Sequence, residues 1–111
     1  MRIFRADKLP GRSISQFASV GAEIVPVARP TAEAQVVVLR LMPGGKLGLH
    51  QTNSRQLFIV MNGSGAVRAG DEPPLPVTVG DMVLWESGEW HETTTEAGLL
   101  ALLVEADALE M

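Results

Sequence analysis

The chain has 111 residues, of which 46% are hydrophobic and 20% charged, with a formal net charge of −4, as in an ordinary globular protein of one domain. It contains no cysteine, which excludes a disulfide, a thiolate metal ligand and a thiol nucleophile. No cluster of lysine and arginine is present to hold phosphates, so nucleic acid is not an expected partner. The first ten residues lack the apolar run of a signal peptide, and the longest apolar run, residues 99–104, is far too short to span a membrane. We therefore expect a cytoplasmic protein without a membrane partner.

Short β-branched segments separated by glycine and proline predict strands along most of the chain. The clearest covers residues 34–42 and is expected to end at the Pro-Gly-Gly sequence of residues 43–45. A second covers residues 55–61. The Asn-Gly-Ser-Gly sequence at 62–65 predicts a hairpin turn after it, because these residue types accept positive φ, with a return strand at 66–69.

Further strands are predicted at residues 77–79, 82–85, 90–95 and 99–105. Residues 1–33 are expected to contribute one or two edge strands, with residues 13–18 forming a helical turn as the alternative. Residues 106–111 are expected to fray or to form one turn. Roughly nine to eleven short strands in a single domain, residues 1–111, predict an all-β jelly roll.

The only two histidines, His50 and His91, each lie in a pattern punctuated by glycine. The first pattern consists, in order, of Gly44, His50, Thr52, Gln56 and Gly63. The second consists of Gly80, Glu86, Gly88, His91 and Thr95. Every gap matches the two signature motifs of the cupin family, and the chain resembles a small single-domain cupin over residues 34–105.

The resemblance implies a double-stranded β-helix, or RmlC-like jelly-roll barrel, in whose interior cupins hold a metal. It implies a pocket lined by His50, Thr52, Gln56, Phe58, Trp85 and His91. The family pattern has a second histidine where this chain has Thr52, and a glutamate where it has Gln56. The remaining ligands, His50, Gln56 and His91, are all neutral, so no cofactor is assured. A divalent ion (Zn, Ni, Fe or Mn) is expected only at low occupancy.

Two other charged residues have alternative interpretations. Glu89 lies two residues before His91, a spacing that places both on one face of a strand. It could supply the missing carboxylate, and Glu89 and His91 are the candidate catalytic residues. Arg40 could anchor an anionic ligand or form a cross-strand ion pair, and we expect the ion pair.

The expected function is the binding of a small molecule in the barrel, without a complete metal site. The alternative is a metal-dependent or histidine-based enzyme, isomerase-like or dioxygenase-like, that uses His50, Gln56 and His91. A third possibility is a structural dimer without a pocket. A homodimer is expected in any case, because a jelly roll leaves edge strands and the apolar stretch at residues 14–27 could cover a partner.

Overall fold

The computed structural model describes residues 9–28, 33–107 and 109. Its strands are β1 (Arg12–Ile14), β2 (Val20–Ala28), β3 (Ala34–Gln51), β4 (Arg55–Ala69), β5 (Leu75–Thr78), β6 (Met82–Trp85), β7 (Trp90–Thr94) and β8 (Leu99–Ala106). A single 3-10 turn, Gln16–Ala18, lies between β1 and β2. Within these residues there is no α-helix, and thus no helix long and apolar enough to cross a membrane. The expectations for residues 1–8, 29–32, 108 and 110–111 lie outside the described part of the chain.

Two long strands close the barrel. The first half of β3 pairs with β8 and its second half with β7. In the same way, β4 pairs first with β8 and then with β7. Strands β2 and β1 extend the sheet beyond β3, and β5 and β6 pair with β4. The predicted all-β barrel is confirmed.

The predicted hairpin at residues 62–65 is wrong. Strand β4 continues through these residues with a register shift between Val60 and Asn62. Gly63 has φ of 79°, and a Cβ there would lie 2.2 Å from the carbonyl oxygen of Gly98. The glycine therefore serves a bulge and a close approach of two strands rather than a turn.

The predicted end of the first strand at residues 43–45 is wrong for a similar reason. Strand β3 runs on to Gln51, and Gly44, with φ of 79°, lies where the register of β3 with β2 shifts between Leu41 and Lys46. Merged strands explain why the described residues contain eight strands rather than nine to eleven. At the amino-terminal end, both expectations hold in part, since two strands flank the short turn at Gln16–Ala18.

The core fills the barrel between the two layers. Its deeply buried members include Phe58, Leu39, Val60 and Leu103, whereas Val25 and Val38 are also fully buried but lie outside this cluster. Burial of each contributes roughly 1.5–3 kcal/mol. Arg40 lies outside this core and contacts Glu23, its cross-strand partner on β2, with Nη2 and Oε1 2.7 Å apart. The expected cross-strand ion pair is thus confirmed.

Candidate functional site

The two histidines meet across neighbouring strands. His50 on β3 and His91 on β7 are direct cross-strand partners. Their Nε2 atoms lie 3.0 Å apart, and their ring centroids are separated by 4.4 Å. Residues directly opposite each other in an antiparallel ladder place their side chains on the same face. Strand register therefore brings together the two histidines that the family resemblance implied would line one pocket.

With both rings uncharged, hydrogen bonds assign the tautomers of the pair. His50 Nδ1 lies 2.7 Å from the carbonyl oxygen of Gly48, which can only accept, so Nδ1 carries the proton. His50 Nε2 then accepts from His91 Nε2, which leaves His91 Nδ1 as an acceptor. That atom is buried and has no partner among the described residues.

His91 is held in its neutral form. Only 3% of the residue is exposed. Burial, and secondarily the charge of His50, lower the pKa of His91 from 6.5 to about 3. Desolvation penalises the charged imidazolium, and a second positive charge at His50 would repel it. At neutral pH, His91 is therefore an uncharged donor toward His50.

A short strap, defined as residues 15–19, covers His50. The Phe17 ring stacks on the His50 ring with centroids 4.3 Å apart and planes inclined by 19°. Phe17 has φ of 61°, a left-handed conformation that costs a non-glycine residue roughly 1–2 kcal/mol. Ser19 Oγ accepts a hydrogen bond of 3.0 Å from the Gly48 amide. Sequence reasoning placed Phe17 in a possible edge strand or helical turn and missed this contact.

Gln56 and Glu105 form a second polar pair. Gln56 lies on β4 between its cross-strand partners Trp85 on β6 and Glu105 on β8. Its Nε2 donates to Glu105 Oε1 at 2.7 Å, whereas its own Oε1 is buried without a partner among the described residues. Sequence reasoning missed Glu105. One local feature could have identified it, because Glu105 is the first charged residue after the apolar run at residues 99–104.

A cavity of about 190 Å³ lies between the strap and these polar residues. A neighbouring cavity of about 80 Å³ continues toward Thr52. His50, Gln56 and Glu105 line both. The apolar wall of the first cavity consists of Ile14, Phe17, Ile24, Val37, Leu47 and Leu103. We call the two spaces together the histidine pocket. A larger cavity of about 700 Å³, near Ser64 and Thr94, contains neither histidine.

Three of the predicted pocket residues, Phe58, Trp85 and His91, do not line this space. Phe58 is a core residue that is 1% exposed, and Trp85 is buried, with its ring edge-on to His91 at 4.7 Å. His91 itself lies behind His50 and contacts the pocket through it. The expected place of Trp85 at the pocket rim is therefore not what the structure shows.

Thr52 and Glu89 are engaged by the turn between β6 and β7. Thr52 lines the smaller cavity, but its hydroxyl donates to the carbonyl oxygen of Glu86 at 2.7 Å. Glu89 Oε1 accepts from the Glu86 amide, also at 2.7 Å. The structure therefore does not bring Glu89 into the histidine pocket, where it could have replaced the missing carboxylate.

The possible metal ligands of the histidine pocket are two imidazoles and one amide. Two nitrogens 3.0 Å apart could each lie about 2.1 Å from one ion. Gln56 adds a neutral amide oxygen. Among the described residues, however, no group of three or more His, Cys, Asp or Glu could hold a metal, so Glu105 does not complete one. The donors do not fit a site of two imidazoles and a carboxylate.

Comparison with known proteins identifies the family. A family model described as the Cupin domain matches residues 37–104, which is more than half of the chain. The chain belongs to the cupin family. The resemblance inferred from the two histidine motifs is thereby confirmed. No curated protein is significantly similar to this cupin in sequence.

Solved structures support the same fold. A predicted oxalate decarboxylase from Thermotoga maritima is 21% identical, with a TM-score of 0.80 over 95% of this cupin and 98% of that chain. The polyketide cyclase RemF from Streptomyces resistomycificus is 15% identical, with a TM-score of 0.82 over 97% and 80% of the two chains. An RmlC-like cupin from Shewanella frigidimarina is 16% identical, with a TM-score of 0.77 over 99% and 94%. At these identities the likeness confirms the double-stranded β-helix fold and does not extend to function.

Proposed function

We propose that this cupin binds a small organic molecule in the histidine pocket and has no tightly held resident metal. The observation that carries the proposal is the pocket itself, in which an apolar wall faces His50, Gln56 and Glu105. Apolar walls with a few convergent polar groups are what small-molecule sites require. The unpartnered oxygen of Gln56, a residue that lines both cavities, adds a group that a bound molecule or an ordered water can satisfy.

The charge of the donor set argues for weak metal binding. His50, His91 and the Gln56 amide are neutral ligands, and a divalent ion among them would lack a carboxylate to offset its charge. The fixed hydrogen bonds of Thr52 and Gln56 would also have to rearrange before either residue could ligate. We therefore expect only substoichiometric metal.

Elemental analysis tests this part of the proposal. The protein is purified without immobilised nickel, and its metal content and thermal stability are compared with those of a Thr52→His, Gln56→Glu double variant. The variant, which restores the family's ligands, should hold close to one ion per chain and gain stability in proportion to RT ln(1 + [L]/Kd). One tightly bound ion per wild-type chain, with no gain in the variant, would contradict the proposal.

A fragment screen tests the binding function separately. Isotope-labelled protein treated with a chelator is screened by NMR against neutral, cationic and anionic fragments. Hits should shift the signals of His50 and Gln56 rather than those of Ser64 and Thr94, which line the larger cavity. Hits confined to the larger cavity would argue against the histidine pocket as the binding site.

An enzyme is the second candidate, and the short contact between imidazoles favours it. Both His50 nitrogens are engaged, one by the Gly48 carbonyl and the other by His91, so a substrate that displaced one of these partners could exchange a proton with the freed nitrogen. Solved relatives in fold include proteins named as a predicted oxalate decarboxylase and a polyketide cyclase. A stoichiometric metal in the wild type would place the enzyme candidate ahead of the binding protein.

A further inference from the structure

Glu105 is a carboxylate that faces the histidine pocket without a cationic partner. It lines both cavities, and one of its oxygens is held by Gln56 Nε2. Among the described residues, no lysine or arginine forms an ion pair with it. The cationic side chain that lines the larger of the two cavities, Arg12, is exposed on β1. Partial burial of a carboxylate without a cationic partner is costly, and a complementary charge offsets that cost.

Gln56 and His50, which line both cavities with Glu105, already use their donors in hydrogen bonds within the protein. Gln56 uses its amide nitrogen on Glu105, and its Oε1 is buried without a hydrogen-bond partner among the described residues. His50 directs its Nδ1 proton to Gly48, and the proton between the two imidazoles comes from His91. Neither His50 nor Gln56 therefore presents a free donor to Glu105 from the pocket side, and its carboxylate is left as an acceptor that an N–H group of a ligand can satisfy.

We infer that Glu105, oriented by Gln56, makes the histidine pocket selective for small cations of the amidinium or ammonium type. The inference rests on the proposed binding function and names its ligand class. Hydrogen bonds between an N–H cation and a carboxylate are roughly twice as strong as those between neutral groups. The apolar wall, which includes Phe17 and Leu103, would contact the hydrocarbon part of the ligand.

The size of the pocket limits the ligand. The volume of about 190 Å³ corresponds to roughly six water molecules at about 30 Å³ each. A single aromatic ring with one planar functional group is a suitable probe. Benzamidine, benzamide and benzoate form a matched set, since they are nearly identical in shape but cationic, neutral and anionic, respectively.

The experiment is an NMR titration of each probe into labelled protein in the presence of a chelator. We expect benzamidine to shift the signals of the histidine pocket and to bind about tenfold or more tightly than benzamide or benzoate. Glu105→Gln keeps the shape of the side chain and removes its charge, and should reduce benzamidine affinity to that of benzamide. Glu72→Gln makes the same change at an exposed turn position and should have no effect.

A second variant guards against loss of folding. Gln35 is exposed and is the direct partner of Glu105 across β3 and β8. Gln35→Lys would place an ammonium beside Glu105, where cross-strand opposite charges pair. It should weaken benzamidine binding about as much as Glu105→Gln, while Glu105 itself remains in place.

The outcomes separate this inference from the proposed function. If benzoate binds as tightly as benzamidine, or if Glu105→Gln leaves benzamidine affinity unchanged, the cation selectivity is refuted while binding in the pocket stands. If none of the three probes shifts the pocket signals, the selectivity is also refuted. The binding function is then judged by the fragment screen alone.

Discussion

Replacing Gly48 by alanine should release the strap from His50. A Cβ at position 48 would lie 1.5 Å from the carbonyl oxygen of Phe17 and 2.6 Å from its carbonyl carbon. Ordinary contacts are about 3.5 Å, so one backbone must move by about 2 Å. The strap is the smaller element and lies at the surface, so we expect it to move rather than β3.

The magnitude follows from the contacts that the strap would lose. Phe17 is 49% exposed, so about half of its ring area, roughly 100 Å², would leave the protein at a cost of about 2.5 kcal/mol. The hydrogen bond from Gly48 to Ser19 adds about 1 kcal/mol, and the ring stacking about 0.5 kcal/mol. Relief of the left-handed backbone strain at Phe17 and Ala18 offsets about 2 kcal/mol of this loss. We expect a net loss near 2 kcal/mol.

Urea unfolding and the NMR signals of His50 measure the two effects. Gly48→Ala should lower the free energy of unfolding by about 2 kcal/mol, which is a melting temperature lower by roughly 10 °C. The His50 ring protons should move downfield as the Phe17 ring departs. The control is Gly44→Ala, where φ is 79° and a Cβ would have nothing within 4 Å. It should cost backbone strain alone, about 1 kcal/mol, and leave His50 unchanged. Wild-type stability and unshifted His50 signals in Gly48→Ala would refute the reasoning.

Three other predictions concern the pair of imidazoles, the core and the assembly. His91 has a folded pKa of about 3 and an ordinary value of 6.5, so between these pH values the unfolded chain binds a proton that the folded chain does not. The free energy of unfolding of metal-free wild type should therefore fall by about 1.4 kcal/mol per pH unit as pH drops below 6.5. His91→Gln should lack this decrease, and equal slopes of unfolding free energy against pH in the two proteins would contradict the prediction. Phe58→Ala, at a core position that is 1% exposed, should lower the free energy of unfolding by about 3–5 kcal/mol. Met82→Ala, at an exposed position, should lower it by less than about 0.5 kcal/mol. Similar losses of unfolding free energy in the two variants would be inconsistent with this core. Light scattering should give twice the chain mass of 11.9 kDa, because edge strands require cover, and a monomer mass at micromolar concentration would rule the homodimer out.

The sequence determined the fold class and the family because both depend on local signals. Short β-branched segments bounded by glycine are typical of strands, and the gaps around His50 and His91 match the cupin motifs. The same local signals could not determine where the long strands end. Gly44 and Gly63 have positive φ, which serves a turn and a bulge equally well. Whether each glycine forms a turn or a bulge depends on residues distant in sequence, such as Gly98, whose carbonyl lies against Gly63.

The candidate site divides in the same way. The sequence pointed to His50, Gln56 and His91 through their motif positions, and strand alternation explains why their side chains share the barrel interior. Glu105 and Phe17 lie outside both motifs. Glu105 meets Gln56 only through the register of β4 with β8, 49 residues apart in the chain. Phe17 meets His50 only because Gly48 lets the strap approach. Tertiary structure alone decided these contacts, because each depends on which backbone segments lie side by side. No local pattern of residues determines that arrangement.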